Sequence, residues 1–544
     1  MFEHVESEHS PSGSFLGAFC FVTTATLTNG KRSSVLEIVG SIVAATRALF
    51  RAGGIGKVKL IRIFRRRWRA WVGSGLCLAG VLVAVGVCHS VKPLPEGLSF
   101  AGDERAATEV RFLKDLTYLN SEGKRESEQE IFDTVFAMID AAKSFVLIDM
   151  FLFNDFTGAE ADVWRPLSGQ LTERLIEKRR SSPDVSIVLI TDPINTVYGG
   201  LRSRHLERLQ AAGVSVVLTK LEPLRDSNPV YSAFWRLFGR WLGNAPGRIL
   251  PNPFGEGRVS LRSIVHLLNF KANHRKVVVA DDDRGLVGLV TSANPHDGSS
   301  AHENVAIQFR GDAVRDLLEA ERAVLKLSDA GHLGVRGAIR ENEMFLGNDL
   351  PTLQVVSEGK IKEELLAALE TAGEGDRVDL VLFYFSDRDV IAALIEARSR
   401  GAEVRLLLDP NRDAFGREKD GLPNRQTAHE LSQAGILVRW RETHGEQCHS
   451  KLMLLRYGDG GTFVSLGSAN YTRRNLDDLN LELNVAVRGQ RDARVVRDVA
   501  AYFDALWTNS EGRQFSVEYQ RYADPSLLRW ICYWTMERSG LCTF

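Results

Sequence analysis

Residues 274–281 read HRKVVVAD and residues 449–456 read HSKLMLLR. In both, a His and a Lys two positions apart open a run of aliphatic residues. Side chains at i and i+2 share one face of a strand, so His274 points with Lys276 and His449 with Lys451. A second apolar stretch follows each run and ends in Thr291-Ser292-Ala293-Asn294 or Gly467-Ser468-Ala469-Asn470. Each copy then supplies an acid, Glu303 or Glu482. A lone HxK is commonly a half-buried histidine beside a solvated lysine. Two copies with the same sequel at similar spacing speak against that reading.

Working outward, the rest of the chain repeats as well. A helical pattern (IFDTVFAMIDAAKS) leads into the strand FVLIDMFLF, and IKEELLAALETA leads into VDLVLFYF. The strands end alike, Phe151-Leu152-Phe153-Asn154-Asp155 against Phe383-Tyr384-Phe385-Ser386-Asp387. A second buried strand ends in Asp-Pro in both copies (VSIVLITDP, AEVRLLLDP), and a helix end follows (AAGV, QAGI). Matching endings in the same order place one repeat at 101–335 and another at 345–525. Strands without polar alternation are buried on both faces, which predicts a mostly parallel sheet covered by helices.

The duplicated groups suit a phosphodiester. Phosphorus under attack needs a nucleophile, a proton donor for the leaving oxygen and fixed donors around its other oxygens. Histidine fills either of the first two roles near neutrality. Lys276, Lys451, Asn294 and Asn470 supply charge and N–H donors, so no metal or cofactor is called for. Each Glu is expected to hold the far nitrogen of its own histidine. His444, Cys448 and His449 lack a suitably spaced fourth metal ligand. Cys448 faces away from His449's side and reads as a buried small residue.

The pattern HxKxxxxD followed by GSxN, present twice, resembles the phospholipase D superfamily over both halves. The resemblance implies an α/β fold of two duplicated α/β/α halves with pseudo-twofold symmetry, both histidines meeting in one cleft. It implies a phosphohistidine intermediate, resolved by water or an alcohol. Carried onto this chain, the catalytic groups are His274, Lys276, Asn294, His449, Lys451 and Asn470. Asp281, Ser292, Glu303, Ser468 and Glu482 are the supporting shell. The likeness favours His274 as nucleophile and His449 as general acid. Arg456 stands where the family pattern has its second Asp, and Thr291 replaces a Gly; both changes bear on local packing more than on chemistry.

The chain has 544 residues, 44% hydrophobic and 25% charged, which suits several folded domains. Residues 1–70 carry 11 Lys/Arg against 4 Asp/Glu, so the net charge of −1 leaves −8 on the remainder. An acidic body speaks against nucleic acid as partner, because phosphate contacts need a basic surface. Trp71 to Cys88 has no charge and follows Arg62, Arg65, Arg66, Arg67 and Arg69. It is expected to be a transmembrane anchor at 71–89 rather than a cleaved signal peptide, its body extracytoplasmic by the positive-inside rule. Before it, the basic region 1–70 has two weaker apolar stretches, near 15–28 and 35–50, and no assigned role. A Pro-containing spacer follows at 91–97.

Copy one carries an insertion near 222–268. In it Tyr231, Phe234, Trp235, Phe238, Trp241 and Leu242 fall at helical spacing with Arg236 and Arg240 between, which suits either a membrane interface or packing on its own domain. Copy two has a polar loop at 409–426, placed to border a ligand. Residues 526–544 read as a tail, where Cys532 and Cys542 are candidates for pairing in an oxidising compartment. Phospholipid and the membrane bilayer are the expected partners; oligomeric state is not fixed by the sequence. The expected function is a phospholipase D or cardiolipin synthase-like phosphodiesterase. The alternatives are an extracytoplasmic nuclease of the same superfamily and a non-catalytic membrane scaffold.

Overall fold

The aliphatic runs after each histidine form hairpins. Lys276–Asp282 pairs antiparallel with Gly285–Thr291, and Lys451–Arg456 with Gly461–Gly467. Gly285 and Gly460 turn them at φ 104° and 100°, a region that favours residues without a Cβ. The computed structural model describes residues 54–157, 165–244, 249–333, 350–414, 417–542 and 544.

Each hairpin sits mid-sheet. The first sheet runs Arg125–Gln129, Thr108–Leu119, Asn304–Arg310, Gly285–Thr291, Lys276–Asp282, Phe145–Met150, Ser186–Thr191, Ser215–Leu218. The second repeats the order from Thr352–Ser357 through Leu483–Gln490, the hairpin, Arg377–Leu382 and Glu403–Leu408 to Leu437–Arg441. Only the last three strands of each run are parallel neighbours; the others pair antiparallel. The expectation of a mostly parallel sheet is therefore corrected. Burial on both faces comes from the second sheet instead. Val277, Val279 and Ile307 share one core with Leu452, Leu454 and Val485, alongside helices Ala313–Leu327 and Arg494–Thr508. Ile131–Ala141 and Leu167–Ser181 cover the first sheet's other face. Gly359–Thr371 and Arg388–Ser399 cover the second's. The result is two α/β/α halves.

The halves also exchange backbone. Arg105–Ala106, inside the expected first repeat, forms the edge of the second sheet against Thr352 and Leu353, and Gly102 N donates to Val355 O at 2.9 Å. The segment expected as a tail is a helix, Leu527–Ser539, and Cys532 and Cys542 are free thiols. The insertion folds as helix Pro229–Leu237, a short hairpin and helix Leu261–Leu267. Trp235 is buried and stacks on His266, as packing on its own domain requires, while Phe234, Phe238 and Trp241 remain exposed.

A continuous helix, Gly54–Val91, includes the arginine run and the apolar segment; Ala70–Val91 is long and apolar enough to cross a membrane, with mean hydropathy 2.1. Residues 1–53, with their two weaker apolar stretches, lie outside the described residues.

Asp281 and Arg456 occupy equivalent places. Asp281 accepts from the backbone N–H of Lys143, Ser144 and Phe145 and from the Ser144 hydroxyl, locking the start of the neighbouring strand. In the second half the acid sits across the pair: Asp376 accepts from Gly458 N at 2.7 Å and Gly373 N at 2.8 Å. Arg456 is thereby freed to pair with Asp379, which also holds Arg405. Asp281→Ala should cost about 2 kcal/mol of stability, since several N–H groups lose a charged acceptor. A denaturation midpoint unchanged from wild type would refute this account of Asp281.

Candidate active site

Neither half contains a complete site. The segment entering the first hairpin pairs with the Glu482 segment: His274 N donates to Leu481 O at 2.8 Å and Leu481 N to Ala272 O at 3.0 Å. The mirror arrangement joins the second hairpin to the first half, with His449 N donating to Glu303 O at 2.9 Å and Glu303 N to Gln447 O at 3.0 Å. The two Asp-Pro motifs fix the residue before each histidine. Asp192 accepts from Asn273 N and Asp409 from Cys448 N, each at 2.7 Å. Burial pushes both carboxyls up to about 7, against the pull of those N–H groups.

The matched strand endings wall the site. Phe151 lies 4.8 Å from the His274 ring, and Phe383 lies 5.0 Å from the His449 ring. Lys276 and Lys451 each sit 5.2 Å over the same two phenyl rings. Each lysine also donates to the carbonyl of its own histidine. All four groups are buried.

The acids do not hold their own histidines. Glu482, from the second half, meets His274 of the first, its carboxylate 2.9 Å from Nδ1. Glu482 is further held by Ser468 and Asn475. Glu303 is engaged differently. It accepts from Tyr502 at 2.6 Å and from Arg441, deep behind Cys448. His449 Nδ1 instead faces two neutral acceptors, Ser292 O at 3.0 Å and Asn304 Oδ1 at 3.1 Å. The expectation that each Glu fixes its own histidine is corrected on both counts.

Of the remaining groups, Asn294 and Asn470 are buried beside the histidines' hairpins. Asn294 Oδ1 accepts from Leu152 N at 3.1 Å. Ser292 Oγ donates to Asn304 Oδ1 at 3.0 Å and accepts from Val305 N. Sequence reasoning missed Asn304, Asn475, Tyr502 and Arg441, which carry no motif. It also missed the site role of Phe151, Phe383, Asp192 and Asp409, although their repetition was the signal. The polar loop does border the site: Lys419 donates to Tyr384 Oη, and Gln447 reaches Asp413 O.

Burial, with the two lysines alongside, lowers His274 to about 4, against the pull of Glu482. Glu482 stays ionised because His274, Lys276 and Ser468 outweigh its own burial. At neutral pH His274 is thus a neutral imidazole with Nδ1–H on the carboxylate and Nε2 available for attack. Burial and the neighbouring lysines likewise hold His449 well below its usual value. Burial lowers Lys276 to about 7 and Lys451 well below its ordinary range. The site is a set of under-charged cationic groups.

Residues 365–507 match the family model described as a cardiolipin synthase, PLD-like domain. With the two HxK motifs, this match supports assignment to the phospholipase D superfamily. It is similar to the cardiolipin synthase of Alkalihalophilus pseudofirmus, 25% identical over 263 residues, 45% of this chain and 48% of that one. Against that of Geobacillus kaustophilus it is 22% identical over 372 residues, covering 65% and 60%. The chain spans about half the length of the first relatives it matches. The phosphatidylserine synthase of Haemophilus influenzae superposes with TM-score 0.48 at 10% identity, over 81% of this chain and 96% of that one.

A bound phosphate should return protons to the lysines, because an anion favours their charged form. Phosphate affinity should therefore rise as pH falls from about 9 toward 7. Calorimetry at pH 8 in buffers of differing ionisation enthalpy should report uptake of roughly one to two protons per phosphate. Heat independent of the buffer would mean the lysines are already charged.

Proposed function

We propose that this protein transfers a phosphatidyl group between alcohols through a histidine-bound intermediate, at the surface of a membrane to which it is anchored. The observation that carries the reading is the unequal pairing of the histidines, His274 on a carboxylate and His449 on neutral acceptors. His274 Nε2 attacks phosphorus and the bond to the leaving alkoxide breaks. Glu482 stabilises the imidazole as it gains charge. His449, protonated once phosphate charge enters the site, gives its proton to the departing oxygen. It then takes a proton from the incoming alcohol, whose oxygen displaces His274. Lys276, Lys451, Asn294 and Asn470 would hold the phosphoryl oxygens throughout.

Lipid is favoured as substrate by the apolar approach. Phe383 and Tyr384 cluster with Leu422, Tyr533, Cys542 and Phe544 next to His449. The cardiolipin synthase relatives agree in substrate class. The incoming alcohol would be the hydroxyl of a second phospholipid headgroup, with water as a competing acceptor.

Purified protein in vesicles of phosphatidylglycerol and phosphatidylethanolamine should release glycerol and form a diphosphatidyl product. Cleavage of plasmid DNA with untouched lipid would replace this reading by the nuclease one. His274→Ala should abolish the acid-quenched phospho-enzyme with every substrate. His449→Ala should still load from a nitrophenyl ester, whose leaving group needs no proton. Phosphate mapped to His449 in a loading-competent His274→Ala variant would reverse the two roles.

The arginines before Trp71 favour a body outside the cytoplasm. A reporter joined after Gly97 should then be active only when it is exported, and cytoplasmic activity alone would overturn that orientation.

A further inference from the structure

Helix Leu527–Ser539 rests on the protein by a narrow stripe. Only Tyr533 and Glu537 are buried, one turn apart. Tyr533 joins the apolar cluster beside the site, and Glu537 accepts from Ser386 Oγ at 3.0 Å. Most of the rest of the surface is apolar and open: Leu527 is 70% exposed and Leu528 80%, with Trp530, Ile531 and Trp534 exposed beside them and Arg529, Thr535 and Arg538 between. A helix this apolar on its free side has something other than water as its neighbour.

Its place in the fold says what that neighbour is. The helix ends at Gly540, where a Cβ would lie 1.8 Å from Ser227 O, so this end is seated on Ser227–Asn228. The next residue, Pro229, opens the insertion helix, and its carbonyl oxygen would lie 3.1 Å from a Cβ on Gly86 near the end of the apolar span. Asp226 N donates to His89 O at 3.0 Å, and Arg225 Nε to Lys92 O at 2.8 Å. The point where the chain leaves the span, the start of the insertion helix and the end of the C-terminal helix therefore meet within five residues. From that point the helix extends about 18 Å at 1.5 Å per residue. Its side chains suit a headgroup boundary: tryptophans with aliphatic neighbours, and arginines at the edge, Arg538 lying 4.1 Å over the Trp534 ring. The exposed Trp241 of the insertion has the same partner type, with Arg240 at 4.4 Å.

We propose that helix Leu527–Ser539 lies in the interface of the bilayer that Ala70–Val91 enters, its open face among the headgroups and upper acyl chains. The helix then acts as a second membrane contact that fixes the tilt of the catalytic body. Its inner stripe packs through Tyr533 on the apolar cluster beside His449, and Arg474 holds the turn after the helix at the Cys542 carbonyl. This rests on the reading of Ala70–Val91 as a membrane span.

The test uses the full chain in phosphatidylglycerol–phosphatidylethanolamine vesicles, with Cys20, Cys77, Cys88 and Cys532 replaced by Ser. Nitroxides are attached singly at Leu528→Cys, Ile531→Cys, Val83→Cys and the exposed loop position Asp283→Cys. The ratio of collision with oxygen to collision with a water-soluble nickel complex reports immersion. Positions 528 and 531 should exceed 283 by roughly fivefold and approach 83, as an interfacial helix requires. A high ratio at 83 with 528 and 531 as aqueous as 283 would overturn the proposal and leave the anchor intact. An aqueous 83 would remove the anchor and the proposal together. As a second measure, Leu528→Glu with Ile531→Glu should lower turnover of vesicle lipid about tenfold and spare a short-chain lipid dispersed as monomers. Equal loss on both lipids would assign the helix to folding alone.

Discussion

Two pairs of backbone bridges between the halves hold the structure's chemistry together: Ala272–His274 against Leu481, and Gln447–His449 against Glu303. Buried N–H and C=O groups must find partners. At these four segments the partners lie in the other half. Each histidine is thus delivered by one sheet and fixed by the other, and the shared core of Val277, Val279, Leu452 and Leu454 keeps the sheets in contact behind them. A half on its own would leave these groups unpaired and its histidine without its Nδ1 partner.

The duplication is symmetric in backbone and unequal in side chains. Ser468 turns toward Glu482 and thereby toward His274, whereas Ser292 turns toward Asn304 and His449. In the first half the acid equivalent to Glu482, Glu303, is instead engaged by Arg441 and Tyr502 of the second half. A carboxylate suits a ring that must gain positive charge on bonding phosphorus. Neutral acceptors suit a ring that must release a proton, because they fix the tautomer without holding the charge. The proposed division of labour follows from which acid pairs with a histidine.

Much of this was legible in the sequence because it was written twice. His274, Lys276, His449 and Lys451, the repeat order and the apolar span were all readable from spacing and pattern. Phe151, Phe383, Asp192 and Asp409 were visible as matched endings, but endings have no chemistry until the fold places them. Sheet direction was misread because unbroken apolar runs report burial on both faces and not strand polarity. The partner of Glu303 was out of reach, since Arg441 and Tyr502 come from elements whose local pattern is simply strand and helix. The C-terminal helix was overlooked because its buried stripe is only two residues deep, too narrow for a clear amphipathic period.

Beneath His274 lies a charge network that an apolar core would replace at little cost to stability. Arg275 is fully buried between Glu321 and Glu358, and Asp149 accepts from Asn273 at 2.9 Å. Burial raises Asp149 well above its ordinary range, with Glu321 adding to the effect. Glu358 adopts φ 51°, uncommon for a residue with a side chain, and from there its carboxylate reaches both Arg275 and Glu482 N, the latter at 3.1 Å. Arg275, next to His274, and Glu482, which pairs with His274, are therefore tied to one carboxylate. Apolar packing has no direction, and it would allow the His274–Glu482 pair to drift by tenths of an ångström. Hydrogen bonds of fixed length do not, and in-line attack on phosphorus is sensitive to displacements of that size. The strained backbone at Glu358 and the desolvated charges around Arg275 are the structural cost of holding Nε2 still.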